Sequence, residues 1–185
     1  MRGEETELMG LISLGYGNSK KEQLFVLPGS HSKLIRIDKR GKIISFSTML
    51  TGEMILSLSQ NTILKDAVDL SVSEYDEEML FEGYRFAKAE GLNKALFKVR
   101  ILKNRFGRTA CQVSSFFMGA VLADEIDCIL SQKVCSIAIG GRSQIKTATA
   151  SLLRRICEKE IIVIPDEAVE ASTSAGIIAI YEHLE

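Results

Sequence analysis

The sequence has no tryptophan, and its 185 residues include only two histidines, two prolines and four cysteines. The histidines, His31 and His183, are too few and too far apart to form a histidine metal site. No two cysteines have the CxxC spacing of zinc and redox motifs, so we expect buried, reduced thiols. The cysteines are Cys111, Cys128, Cys135 and Cys157.

Net charge and long apolar runs are also nearly absent. The formal net charge of −1 argues against a general nucleic-acid or membrane-surface binder. No apolar run approaches the ~18 residues of a transmembrane helix, and the polar, acidic residues 1–5 do not resemble a signal peptide. We therefore expect a cytoplasmic protein of one domain, or at most two small ones, with neither nucleic acid nor membrane as a partner.

Near the start of the sequence we predict three strands joined by short polar turns, over 24–27, 34–37 and 42–47. A helix is predicted over 51–59, with Thr51 as its cap. Ser73 is a plausible cap for the next helix, which ends at Gly91.

The last third alternates strand and helix, over 134–139, 143–159, 161–164 and 166–181. This βαβα order predicts a parallel pair of strands. A meander, then helices (92–102 and 109–130 among them), then βαβα is typical of the mixed five-stranded sheet of the actin-like ATPase fold, which is ribonuclease H-like.

The segment between the first two strands, turn 28–33, reads Pro-Gly-Ser-His-Ser-Lys. Gly29 allows a close backbone approach to a ligand, Ser30 and Ser32 carry hydroxyl donors, and Lys33 supplies a positive charge. These are the properties of a phosphate cradle. An ordinary hairpin turn with polar tips explains the same residues.

Three further groups have both a structural and a functional interpretation. Gly140-Gly141 is a tight strand-to-helix turn, or a place where a flat ligand lies against the backbone. Glu4 and Glu5 suit a helix N-terminus, or supply a general base beside a phosphate. In the segment Thr51-Gly52-Glu53, Thr51 is suited to cap the helix, and Glu53 is suited to reach a sugar hydroxyl or a metal-bound water.

A cluster of basic residues follows in the middle of the chain. A solvated helix face is the ordinary explanation, and attraction of an anionic substrate towards a cleft is the alternative. The cluster comprises Lys94, Lys98, Arg100, Lys103, Arg105 and Arg108.

Taken in order, the segments RGEETELMG, LPGSHSKLIRI, GKIISFSTMLTGE and IGGRSQI resemble the 2-dehydro-3-deoxygalactonokinase family. These sugar-acid kinases have the actin-like ATPase fold. The resemblance implies ATP-dependent phosphorylation of 2-dehydro-3-deoxy-D-galactonate on its 6-hydroxyl, in galactonate breakdown, with ATP and Mg²⁺ as cofactors.

The resemblance also implies roles for single residues. Glu4 is nominated as the catalytic base, with Glu5 as the alternative, and Thr51 and Glu53 as substrate-binding residues. The remaining residues bind the nucleotide, the first five its phosphates and the last three its adenosine: Gly29, Ser30, His31, Ser32, Lys33, Gly140, Gly141 and Ser143.

The sequence departs from the family pattern in a few places. Ser30 stands where the family has threonine, and Leu34 stands where it has tryptophan. The family's first phosphate hairpin, an Asp-x-Gly-Thr/Ser turn, is absent. We therefore interpret 1–185 as the C-terminal nucleotide-binding domain of such a kinase, without its N-terminal domain, and 61–108 as a helical insertion.

Two other interpretations stay open. One is a relative without catalysis that binds nucleotide or protein, paired with a separate N-terminal half or with itself through exposed apolar surface. The other is an exopolyphosphatase-like chemistry on the same fold, although its glycine-rich hairpin differs from turn 28–33.

Overall fold

The computed structural model describes residues 3–17, 20–141 and 144–182, and its strands form one mixed sheet in the order β3-β2-β1-β4-β5. Strand β2 is antiparallel to β1 and to β3, and β4 is parallel to β1 and to β5. The predicted meander and parallel unit are therefore confirmed and share one sheet. The strands are β1 Gln23–Leu27, β2 Ser32–Ile37, β3 Ile43–Met49, β4 Ser136–Ile139 and β5 Glu160–Val163.

Helices cover both faces of this sheet, and a π-helical turn, Ile12–Tyr16, follows the first of them. They are α1 Glu4–Leu11, α2 Thr51–Asn61, α3 Glu77–Glu90, α4 Leu92–Asn104, α5 Ala110–Ser131, α6 Gln144–Ile156 and α7 Asp166–Glu182. In the described part of the chain, no helix combines the length and the apolar character needed to cross a membrane.

Strand β1 divides its side chains between two hydrophobic cores. Leu24 and Val26 belong to the larger core, which also contains the buried apolar side chains of α5 and α6. Phe25 and Leu27 belong to the smaller core, beneath α1 and α7. Because successive side chains of a strand point to opposite faces, a continuous apolar strand such as β1 needs a helical layer on each side.

Helix α5 lies at the centre of the larger core. Thr109 caps it through a capping box with Gln112, a pairing that satisfies free N–H groups of the first turn. Helix α3 packs tightly against α5, because a β-carbon on Gly119 would lie 1.9 Å from the carbonyl oxygen of Leu80. Part of the predicted helical insertion, 61–108, is thus joined to the core by close helix packing.

Helices α1 and α7 are also in close contact, through glycines on both. A β-carbon on Gly10 would lie 1.7 Å from the carbonyl oxygen of Ser172, and one on Gly176 would lie 1.9 Å from that of Thr6. A larger residue at either position would therefore push the helices apart. This packing fixes the first turn of α1 beside the carboxyl ends of β1 and β4.

Three local predictions are wrong. Asp76, not Ser73, caps α3, and its carboxylate accepts a hydrogen bond from the Met79 N–H at 3.0 Å. Leu50 occupies the cap position of α2 and no side chain caps that helix, so Thr51 has another role. The cysteines are free as expected, but they are partly or fully exposed rather than buried.

Candidate functional site

A cleft of about 460 Å³ opens where β1 and β4 end. In an α/β sheet the carboxyl ends of parallel strands are the usual place for a ligand site. Its walls come from α1, turn 28–33, the end of β4 and α7. The lining residues are Glu4, Glu7, Leu27, Pro28, Gly29, Ser30, His31, Lys33, Gly141, Val169 and Thr173.

Lys33 and Glu4 form an ion pair within this lining. The Lys33 Nζ lies 2.9 Å from Glu4 Oε1, and the two side chains are only 8% and 25% exposed. The same ammonium group donates to the carbonyl oxygen of His31 at 3.2 Å. Because the pair is largely shielded from water, its electrostatic interactions are screened less than those of surface charges.

The start of α2 is joined to turn 28–33 by three contacts. A β-carbon on Gly52 would lie 2.2 Å from the carbonyl oxygen of Gly29, so glycine allows the two backbones to touch. The Glu53 N–H donates to the carbonyl oxygen of Ser30 at 3.1 Å. Glu53 Oε1 lies 2.7 Å from His31 Nε2. The Thr-Gly-Glu segment therefore supports the turn from outside the cleft.

Ser32 and Thr51 lie on the buried side of the contact between turn 28–33 and α2. They are 0% and 4% exposed, and the Thr51 hydroxyl donates to Oε2 of Glu125 on α5. Burial raises the pKa of Glu125, and the hydroxyls of Thr51 and Ser32 partly oppose that rise. Both hydroxyls, which the sequence assigned to nucleotide and substrate, thus face a buried carboxyl group.

The two glycines after β4 differ in position. Gly141 lines the cleft with φ +76°, and a β-carbon there would lie 2.5 Å from the carbonyl oxygen of Pro28. Gly140 is buried, and a β-carbon would lie 2.8 Å from Leu27 Cδ2. Gly141 therefore lets the end of β4 approach turn 28–33, and Gly140 lets it lie against the Leu27 side chain of β1. The predicted adenosine residue Ser143 lies outside the described residues.

The two acidic residues that open α1 are separated by the fold. Glu4 lines the cleft, whereas Glu5 is absent from that lining and its Oε2 accepts a hydrogen bond from the Gly3 N–H at 3.1 Å. Glu7, which sequence reasoning missed, joins Glu4 in the cleft. Its spacing of three residues from Glu4 was the available signal, since such residues share one face of a helix.

Two other contributors were missed. Thr173 reaches the cleft from α7, and its place depends on the packing of α7 against α1. Glu125 falls within the apolar stripe of α5, between Leu122 and Ile129, where a charged residue was the available signal.

The basic cluster lies away from this cleft and makes local contacts. Arg100 and Lys103 donate to the carbonyl oxygens of Ile63 and Asp66, and Lys94 pairs with Glu90 on α3. None of the six residues of the cluster lines the cleft. Among the described residues, no three histidine, cysteine or acidic side chains are grouped closely enough to hold a metal ion by themselves.

Comparison with known proteins identifies the family. The family described as 2-keto-3-deoxy-galactonokinase matches residues 1–180. The chain belongs to this family. Its sheet order and its structural similarity to another family member fit the actin-like ATPase fold, as predicted from the sequence.

Alignment with individual family members shows how much of their length this chain covers. It is 30% identical over 194 residues to the probable 2-dehydro-3-deoxygalactonokinase DgoK1 of Rhizobium meliloti (strain 1021), covering 98% of this chain and 60% of that protein. It is 29% identical over 127 residues to the 2-dehydro-3-deoxygalactonokinase of Escherichia coli (strain K12), covering 68% of this chain and 41% of that protein.

A crystal structure of a Sinorhizobium meliloti protein named as a 2-dehydro-3-deoxygalactonokinase is also similar. It aligns with a TM-score of 0.79 and 26% identity, covering 98% of this chain and 60% of that one. The chain thus spans 60% of the length of these relatives from S. meliloti and R. meliloti.

Proposed function

We propose that this chain is the C-terminal nucleotide-binding domain of a cytoplasmic sugar-acid kinase that phosphorylates 2-dehydro-3-deoxy-D-galactonate. Residues 61–108 are its helical insertion. In the reaction the 6-hydroxyl oxygen bonds to the γ-phosphorus of ATP, the bond to ADP breaks and the hydroxyl proton passes to a base. The observation that carries this proposal is the Lys33–Glu4 pair in the cleft beside Gly29.

Turn 28–33 supplies what a polyphosphate needs. Where a β-carbon on Gly29 would stand, the nearest recorded atom is the carbonyl oxygen of His31 at 3.9 Å, so a ligand can approach this side of the glycine closely. Lys33 supplies a buried positive charge at the same wall. Phosphoryl transfer depends mainly on positioning and charge stabilisation of this kind.

Glu4 is the proposed base, because it lines the cleft where Glu5 does not. Its pairing with Lys33 fixes the carboxylate in one place. A general base must lie within hydrogen-bond reach of the hydroxyl that it deprotonates.

Mg²⁺ fits the charges of this cleft. Among the described residues, Glu4, Glu7 and a single lysine line it, so a polyphosphate entering alone would meet two carboxylates. Glu7, and not the proposed base Glu4, is the residue that would hold the ion or its bound waters, since Mg²⁺ prefers oxygen ligands. When bound, the ion supplies neutralisation of the phosphate charge.

The test is calorimetric titration of the purified protein with Mg-ATP, using two matched lysine variants. Lys33→Ala removes the lysine of the cleft, and Lys39→Ala removes an exposed lysine from the next turn. We expect micromolar binding by the wild type and Lys39→Ala, and loss of binding in Lys33→Ala. No binding by the wild type at millimolar Mg-ATP would contradict a nucleotide site.

Transfer itself is tested with Mg-ATP and 2-dehydro-3-deoxy-D-galactonate, by ³¹P NMR of the products. We expect ADP and a sugar-acid phosphate ester in equal amounts, at a low rate if the relatives' additional length contributes to the site. The C4 epimer, 2-dehydro-3-deoxy-D-gluconate, is the matched substrate. A preference for the epimer would overturn the assigned substrate but leave the kinase assignment intact.

A second candidate is a nucleotide-binding or interaction protein without transfer activity. Exposed apolar side chains on β3 and just before α2 favour it, because Phe46 and Leu50 are each 55% exposed. Apolar patches of this kind are typical of interfaces. Light scattering combined with the transfer assay is the test. Transfer activity would exclude this candidate, and a monomeric mass for the active protein would show that a second copy is not an obligatory partner.

A further inference from the structure

Glu125 lies among the buried apolar residues of α5. It is 1% exposed, and the buried residues around it on the same helix include Leu122, Ile126 and Ile129. Burying a carboxyl group costs free energy unless hydrogen bonds compensate for the lost water. One such bond is present, because the Thr51 hydroxyl donates to Glu125 Oε2.

The other carboxyl oxygen faces a second buried hydroxyl. Among the described residues, Glu125 Oε1 and Ser32 Oγ both lack a hydrogen-bond partner. The Ser32 hydroxyl is nevertheless close enough to lower the pKa of Glu125. Because a serine hydroxyl rotates and can donate or accept, these two groups can pair with each other after a small adjustment.

Ser32 and Thr51 each belong to a segment that forms the site. Ser32 lies between His31 and Lys33, which both line the cleft. Thr51 immediately precedes Gly52, whose backbone touches turn 28–33. A single carboxyl group on α5 is therefore connected to the turn and to the helix that supports it.

We propose that Glu125 is a positioning residue, whose carboxyl group bridges Ser32 and Thr51 and so holds turn 28–33 in the conformation that presents Gly29 and Lys33 to the cleft. The role of Glu125 in nucleotide binding rests on the proposed function. The ordering of turn 28–33 by Glu125 is independent of that function and can be measured without any ligand.

The first experiment measures backbone hydrogen exchange in residues 29–33. Glu125→Leu removes the hydrogen bond from Thr51 and the proposed one with Ser32, whereas Glu125→Gln keeps the shape of the side chain and its ability to form hydrogen bonds. Thr149→Val is the control, since Thr149 is 0% exposed on α6 and its hydroxyl also has no partner among the described residues.

We expect exchange in residues 29–33 to be about tenfold faster in Glu125→Leu, as for loss of one or two buried hydrogen bonds. Exchange in Glu125→Gln and Thr149→Val should stay near that of the wild type. Unchanged exchange at the turn in Glu125→Leu, or an equal increase throughout the sheet, would overturn the proposal. If Glu125→Leu does not fold, Ser32→Ala gives the same decision, because it removes the other half of the bridge.

The second experiment is Mg-ATP titration of the single variants and of Ser32→Ala/Glu125→Leu. If Glu125 acts through Ser32, each single variant binds about tenfold more weakly, and the double variant is within about threefold of the weaker single. Effects that multiply would contradict the bridge. Absence of binding by the wild type would refute the proposed function, and hydrogen exchange would still decide the role of Glu125.

Discussion

Gly52 lies directly against Gly29, since a β-carbon on Gly52 would stand 2.2 Å from the Gly29 carbonyl oxygen. We expect Gly52→Ala to lower the free energy of unfolding by about 1–3 kcal/mol, because the backbone of turn 28–33 must shift. The same shift should weaken Mg-ATP binding. Urea unfolding and calorimetry measure the two effects.

Ser57→Ala is the control for this substitution. Ser57 is an exposed residue of the same helix, where alanine favours helix formation. Gly52→Ala at wild-type stability and affinity would mean that the close contact does not shape the turn.

The second prediction separates the two acidic residues of α1. Glu4→Gln keeps the size of the side chain but cannot take up the substrate's proton. We expect the rate of phosphoryl transfer to fall by about 10²-fold or more, as for loss of a general base. Mg-ATP binding should persist, because Lys33 loses a carboxylate partner and becomes available to phosphate.

Glu5→Gln is the matched variant and should retain wild-type activity, since Glu5 is not part of the cleft lining. The measurement is kcat together with the Mg-ATP dissociation constant for both variants. If Glu5→Gln loses activity and Glu4→Gln does not, the base has been assigned to the wrong residue.

The third prediction concerns the packing of α1 against α7. Gly176→Ala places a methyl group 1.9 Å from the carbonyl oxygen of Thr6, so the helices must separate. We expect a loss of about 2–4 kcal/mol in the free energy of unfolding, a size typical of severe overpacking. Thermal and urea unfolding measure it, with Ala175→Ser, one residue earlier on the same helix, as a conservative control.

The fourth prediction is a pH dependence of stability. Burial raises the pKa of Glu125 above its ordinary value of 4.5. The folded protein therefore retains a proton that the unfolded chain has released, so this group makes stability fall as pH rises from the ordinary value through the raised one. Glu125→Gln lacks this loss.

We expect the free energy of unfolding of Glu125→Gln, minus that of the wild type, to increase as pH rises across that window. Urea unfolding at several pH values between about 5 and 8 measures the difference. A constant difference would mean that Glu125 titrates alike in the folded and unfolded chains.

The sheet could be predicted from the sequence because its signals are local. Neighbouring residues are enough to recognise a continuous apolar strand such as β1 and the polar turn that follows it. They also reveal each strand and helix of the βαβα unit at the end of the sequence. Turn 28–33 was found for the same reason, since its glycine, hydroxyls and lysine are consecutive. The error at Ser73 arose because two residues, Ser73 and Asp76, can both cap a helix and only tertiary packing selects one.

The candidate site was harder to predict where it depends on contacts between distant segments. Thr51 has the appearance of a helix cap, but its hydroxyl is 74 residues in sequence from the carboxyl group that it contacts. Glu125 gave only a weak signal, as one acidic residue in an apolar helix. The separation of Glu4 from Glu5 follows from which face of α1 packs against α7, and neighbouring acidic residues do not reveal that face.

The contact of α1 with α7 also has a consequence for the order of folding. Gly10 meets Ser172, so the helix that carries Glu4 acquires its packing partner only after nearly all of the intervening chain has been synthesised. Closing so long a loop is entropically costly, and contacts of this kind form slowly. During translation, Glu4 therefore reaches its place beside Lys33 only after α7 has been synthesised, whereas the contact of turn 28–33 with α2 involves residues close to it in sequence.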